Sequence, residues 1–89
     1  MEGYVRVHTE TGYKKSNKKV FLNSLVEGEY YFFEMERVRD IFLGKLIKKE
    51  VSSTNRITDL LIEHTYNRGR IPTQTSFGIE FVYKMFEVE

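Results

Sequence analysis

Apolar residues fall along this chain in short runs, and the runs do not share one period. Tyr4-Val5-Arg6-Val7-His8-Thr9 alternates apolar and polar, as a half-buried strand does. Thr11-Gly12 marks a turn. Tyr13 to Lys19 is polar and holds four lysines, and Lys19-Val20-Phe21-Leu22-Asn23 has the composition of a returning strand. Together these segments predict an N-terminal β-hairpin with a long basic loop. Val26-Glu27-Gly28-Glu29 breaks the pattern again.

Residues 30–51 fit two descriptions. Two strands, Tyr30–Glu36 and Ile41–Lys48, follow from the β-favouring run Tyr30-Tyr31-Phe32-Phe33. One helix follows from a 3.6-residue period. Tyr31, Met35, Val38, Phe42 and Leu46 then form one stripe, with Glu34, Arg37, Asp40, Lys45 and Lys48 opposite. Glu27, Glu29, Glu34 and Glu36 come early and Lys45, Lys48 and Lys49 late, which complements a helix macrodipole. Arg37-Val38-Arg39-Asp40 offers no turn chemistry. The helix is favoured, with Gly44 costing it about 1 kcal/mol relative to Ala.

A second helix is expected over 54–67. Ser52-Ser53-Thr54-Asn55 supplies cap residues, and Ile57, Leu60, Leu61 and His64 share a helical face. Arg56, Asp59, Glu63 and Asn67 take the other side, and Gly69 stands just past the end. The last segment is divided. Ile79, Val82, Tyr83 and Phe86 have helical spacing, while Phe77, Ile79, Phe81, Tyr83 and Met85 have strand spacing. Pro72-Thr73-Gln74-Thr75-Ser76 has the form of a helix entry and tips the balance to helix. The expected fold is α+β: a single domain over 1–89, an N-terminal hairpin packed on two or three helices, winged-helix-like. The alternative is a mainly antiparallel sheet with one helix at 54–67 and a C-terminal strand.

Composition narrows the class. With 89 residues there is room for one core. Seven Phe and six Tyr can build it, each ring removing roughly 150–250 Å² from water. The absence of Cys excludes disulfides and thiolate chemistry. No apolar leader or membrane-length run is visible, so a soluble, cytoplasmic protein is expected. Net charge is +1, distributed as +3 over 1–24, −3 over 25–44, +3 over 45–70 and −2 over 71–89. Such blocks make a dipolar surface that can steer a partner.

Catalytic motifs are missing. His8 and His64 stand apart from any nucleophile, and Glu34 and Glu36 are most simply solvated charge. No phosphate-binding glycine loop, metal motif or calcium loop appears, so a non-enzyme without metal or cofactor is expected. A hydrolase or nuclease built on His8 or His64 is the least favoured function.

Two basic clusters point instead to nucleic acid. Lys14, Lys15, Lys18 and Lys19 sit beside Tyr13 and could grip phosphates. Arg68 and Arg70, next to Tyr66, precede Thr73, Gln74 and Thr75. On a recognition helix, Gln can bond adenine, and Thr can take a phosphate or a base edge. The stretch Ile57–Phe86, with Gly69, Pro72, Ser76-Phe77-Gly78, Phe81 and Phe86, resembles the small winged-helix module of phage and plasmid primase-helicases. The resemblance covers about a third of the chain and implies a recognition helix opened by the Phe-Gly step. Ile79 and Glu80 stand where that module is basic. The first expected function is therefore a small helix-turn-helix-like DNA-binding or other nucleic-acid-binding protein, of the type of phage or mobile-element regulators. The alternative is a protein-binding inhibitor or adaptor acting on a host enzyme. It would act through an aromatic patch at Tyr30, Tyr31, Phe32 and Phe33, or through an unpaired C-terminal strand from Phe77 to Val88. A homodimer fits either.

Overall fold

The runs Tyr30–Met35 and Asp40–Val51 carry apolar side chains at odd and even positions alike. Extended chain of that kind must be covered on both faces. The computed structural model describes residues 6–8, 13–36, 40–65 and 71–89, and places these runs at the centre of a seven-stranded sheet. The strands are β1 (Arg6–His8), β2 (Lys15–Lys19), β3 (Tyr30–Met35), β4 (Asp40–Val51), β5 (Ile57–His64), β6 (Thr73–Gly78) and β7 (Val82–Val88). Two 3₁₀ turns, Leu22–Ser24 and Ile79–Phe81, complete the regular structure. The hydrogen-bonded order is β2-β7-β3-β4-β5-β6, with antiparallel neighbours. Strand β1 lies parallel to the start of β4.

Connectivity forces this sheet to coil. Strands β6 and β7 are four places apart in the order, yet only Ile79-Glu80-Phe81 joins them. Four flat strand spacings are about 19 Å, whereas the chain from Gly78 to Val82 reaches about 14 Å even when fully extended. The sheet therefore curls until the end of β6 and the start of β7 come within that reach. Bulges in the β4–β5 pair, at Ile47 in β4 and at Thr58 in β5, add the local twist such curling needs. The Glu36 N–H donates to Phe81 O at 3.0 Å and ties the connecting turn beneath β3.

The concave face holds the larger core. Phe33 faces Phe42 and Met85 across the ladders, and Leu46 faces Ile62. Leu25, Tyr31, Met35 and Leu60 join them, and Ile79 and Val82 pack against the cluster from the connection. On the other face Phe32 faces Leu43 and Phe86, with Ile41 beside them and Tyr13 and Val88 packed on top. Gly44 is the one gap in the concave wall of β4. A Cβ there would run into Ile62 Cγ2 and lie 3.3 Å from Phe33 Cε2.

Two turns have clear chemical causes. Glu29 N–H donates to Val26 O at 3.2 Å across a turn whose third residue, Gly28, has φ 94°. That is the glycine position of a type II turn. Between β4 and β5, Asn55 N–H donates to Ser52 O at 3.0 Å, Ser52 N–H donates to Arg56 O at 2.8 Å, and Asn55 adopts φ 63°. Asn is one of the few residues that enters this left-handed region at modest cost.

The α+β arrangement is overturned: no α-helix occurs among the described residues. The helix expected within 30–51 is β3 and β4. The helix expected over 54–67 is β5, and Ser52–Asn55 turn a hairpin instead of capping. The expected final helix is β6, a 3₁₀ turn and β7. The N-terminal hairpin does not form either, because β1 pairs with β4 and β2 with β7, and the basic loop is itself a strand. The mainly antiparallel alternative, with its C-terminal strand, describes the architecture, although its one helix is extended chain. Long-range ladders explain these outcomes: they bury both faces of 30–51, which a lone helix stripe would leave half exposed. Tyr4, Val5, Thr9, the Thr11-Gly12 turn, residues 37–39 and residues 66–70 lie outside the described residues.

Candidate functional site

Among the described residues, β2 and β6 stand at the two ends of the hydrogen-bonded order, and β1 is paired on one side only, with the start of β4. No described strand pairs with the far side of β2 or β6, and a strand edge of that kind is a template for another strand unless something blocks it. The two edges are treated differently by the sequence.

Strand β2 is guarded. Four of the six residues from 14 to 19 are lysine. Lys14, Lys18 and Lys19 are exposed. Lys15 bends over the Phe86 ring, its Nζ 4.0 Å from the centroid. Lys18 Nζ stands 3.9 Å from Glu87 Oε2, an open pair of little energetic weight. A row of ammonium groups discourages a neighbouring strand.

Strand β6 is unguarded. Thr73-Gln74-Thr75-Ser76-Phe77-Gly78 carries no charge. Its inward side chains anchor it. Phe77 lies 5.8 Å from the Phe42 ring and 5.6 Å from His64, centroid to centroid, and Thr75 Oγ1 is 3.0 Å from His64 Nε2. Its outward side chains are drawn back over β5 and β4. Gln74 Nε2 donates to Glu63 Oε1 at 3.3 Å, and Ser76 Oγ donates to Glu50 Oε1 at 2.9 Å. Both faces of β6 are thus tied inward, and no long charged side chain of its own screens the backbone edge. Ile71, 78% exposed, stands just ahead of it.

His64 serves this anchoring. Only 3% of it is exposed, and its ring lies 5.3 Å from Phe42. Burial lowers its pKa below the usual 6.5, so near neutral pH it is the uncharged imidazole that meets the Thr75 hydroxyl.

The expected site residues are dispersed. Thr73, Gln74 and Thr75 all fall on β6, but on a strand rather than at a helix N-terminus, and Thr75 points inward. Lys14 and β2, with Lys15, Lys18 and Lys19, lie at the opposite end of the strand order from β6. Arg68 and Arg70, with Tyr66, lie outside the described residues. The helix-turn-helix surface is therefore replaced by two separate edges. The aromatic patch is also corrected: Tyr31, Phe32 and Phe33 are core, and of the four only Tyr30, 40% exposed, reaches solvent. Strand β7, expected to be unpaired, is held between β2 and β3; β6 is the outer strand of the C-terminal segment among the described residues. Ser76, Phe77 and Gly78 belong to that edge, so of the strand expected from Phe77 to Val88 only its first two residues lie there. The signal for them is an uncharged nine-residue run, 71–79, in a chain that is 30% charged.

Among the described residues no three His, Asp or Glu side chains gather as a metal set, and no helix is long and apolar enough to cross a membrane. No protein-family model, curated protein or solved structure matches this chain.

Proposed function

We propose that this chain is a protein-binding module that accepts an extended segment of a partner protein alongside β6. The observation that carries the proposal is the contrast between a lysine-lined edge at β2 and an uncharged, inwardly tied edge at β6. Strand addition draws affinity from main-chain hydrogen bonds and specificity from alternate side chains. The free edge supplies the first. Exposed Thr73 and Gln74, with Ile71 ahead of them, supply contacts for the second.

The test selects binders from a random peptide library and follows backbone amide exchange. Selected peptides should slow exchange of β6 amides. Carrying the β2 device across, as Thr73→Lys with Ser76→Lys, should weaken binding more than tenfold while the fold persists. Peptides that leave the amides of 73–78 unprotected, or that bind the double variant equally well, would overturn the proposal. Nucleic-acid binding is the competing function, favoured by Lys14 and the three lysines of β2. It requires affinity for duplex DNA or single-stranded RNA that falls steeply with salt and is lost when Lys14, Lys15, Lys18 and Lys19 become Ala.

A further inference from the structure

Away from β6, a groove of about 430 Å³ opens between the segment following β2, the start of β3 and the end of β7. That is within the usual size for ligand sites, about 300–1,000 Å³. Val20, Val26, Tyr30 and Val88 give it apolar walls, and the charged groups among its described lining residues are Glu29 and Glu87. Tyr31 and Glu87 face each other across the β3–β7 ladder. The Tyr30 ring, its centroid 5.1 Å from that of Tyr13, makes an aromatic pair beside the opening.

The rim is apolar and held in place. Phe21, next in the chain to Val20, is 77% exposed, and Val26 is 56% exposed. Single exposed apolar residues are ordinary, but Val26 lines the groove and Phe21 is the chain neighbour of a lining residue. Their backbone is fixed. Ser24 N–H donates to Phe21 O at 2.8 Å, Val26 N–H donates to the Tyr31 hydroxyl at 2.9 Å, and Lys49 Nζ donates to Leu25 O at 2.7 Å. Lys49 N–H also donates to Glu27 Oε2 at 2.8 Å, which pins the adjoining turn. A preformed wall of this kind loses little freedom on binding.

We propose that this groove is a second binding site, taking an arginine side chain, flanked by an apolar residue, from a peptide segment of a partner protein. Two carboxylates exclude anions and favour a cation. The guanidinium suits this lining because it pairs with carboxylates through a planar fork and stacks on tyrosine faces. The flanking apolar residue would cover Phe21 and Val26. The chain itself already brings a cation to one of these carboxylates, since the exposed Lys18 ammonium stands 3.9 Å from Glu87. So loose a pair is readily exchanged for a ligand's guanidinium. The site uses no residue of β6 and stands independently of strand addition there.

The probe is the blocked peptide acetyl-Gly-Leu-Arg-Leu-Gly-amide, titrated into the full chain at low salt and followed by amide shifts. Its control replaces arginine with citrulline, the same shape without the charge. Binding should move the amides of Val26, Tyr30 and Glu87. Glu29→Gln with Glu87→Gln should weaken it about fivefold or more, as should citrulline, each lost pair being worth up to about that factor. Lys18→Ala should tighten it about twofold by removing the internal competitor. Phe21→Ser should weaken it while leaving the unfolding midpoint unchanged. Equal affinity for the citrulline peptide, weaker binding by Lys18→Ala, or no shift at the groove at millimolar peptide would each overturn the site.

Discussion

Gly44→Ala tests the packing of this protein through the sign of one measurement. In a helix the substitution would stabilise by about 1 kcal/mol. In β4 the added methyl meets Ile62 Cγ2 and comes 3.3 and 3.4 Å from two carbons of the Phe33 ring. Ile62 and Phe33 are both fully buried, so neither can swing into solvent. Overpacking of this kind costs about 1–3 kcal/mol. The stiffer unfolded chain returns about 0.4–1 kcal/mol. A net loss of about 1–2 kcal/mol is expected, which for a domain of this size lowers Tm by about 5–15 °C. Urea titration should show a lower midpoint at unchanged slope. Ile62→Leu removes the offending branch at constant volume and alone costs less than about 1.5 kcal/mol. Combined with Gly44→Ala it should lose less than the two single losses added. An unchanged or raised midpoint for Gly44→Ala would refute the argument.

Two further outcomes are expected. The folded His64 pKa is depressed, so the unfolded chain takes up the proton first; the stability this contributes is complete above about pH 6.5 and is lost as pH falls through the folded value. Urea midpoints taken from pH 7.5 to 5 should decline, His64→Gln should flatten that decline, and a ring titration midpoint at or above 6.5 would contradict it. Asn55→Ala should cost about 1 kcal/mol because its backbone is left-handed, whereas Asn55→Gly should stay within about 0.5 kcal/mol; equal melting temperatures for the two would remove the turn argument.

Helical stripes misled over 30–64 for a definite reason. Tyr31 and Met35, Phe42 and Leu46, and Leu60 and His64 are each four apart, and four satisfies a helical face and a strand face equally. All six side chains do share the concave face, but with Phe33 and Ile62 between them, which a helix would turn away. The bulge near Val51 also returns Ile57 to that face, so no simple period survives in β5. Alternation, the usual mark of a strand, is erased in β3 and β4 because Phe32, Ile41 and Leu43 are buried on the opposite side. Of the candidate site, the lysines of β2 and the uncharged run of β6 were visible as composition. That both are edges was not, because an edge is defined by which strands fail to pair with it.

The sequence alone settled the raw materials: thirteen aromatic rings, breaks at 26–29 and 52–55, a lysine cluster, and no thiol chemistry. Tertiary structure decided which period those rings obey, which strands are central, and which backbone remains open. The division has one physical cause. Side-chain chemistry is local and can be read residue by residue, but the hydrogen bonds of a coiled sheet join residues far apart in the chain. The three-residue link joins β6 and β7, four places apart in the strand order, and nothing in those three residues announces it.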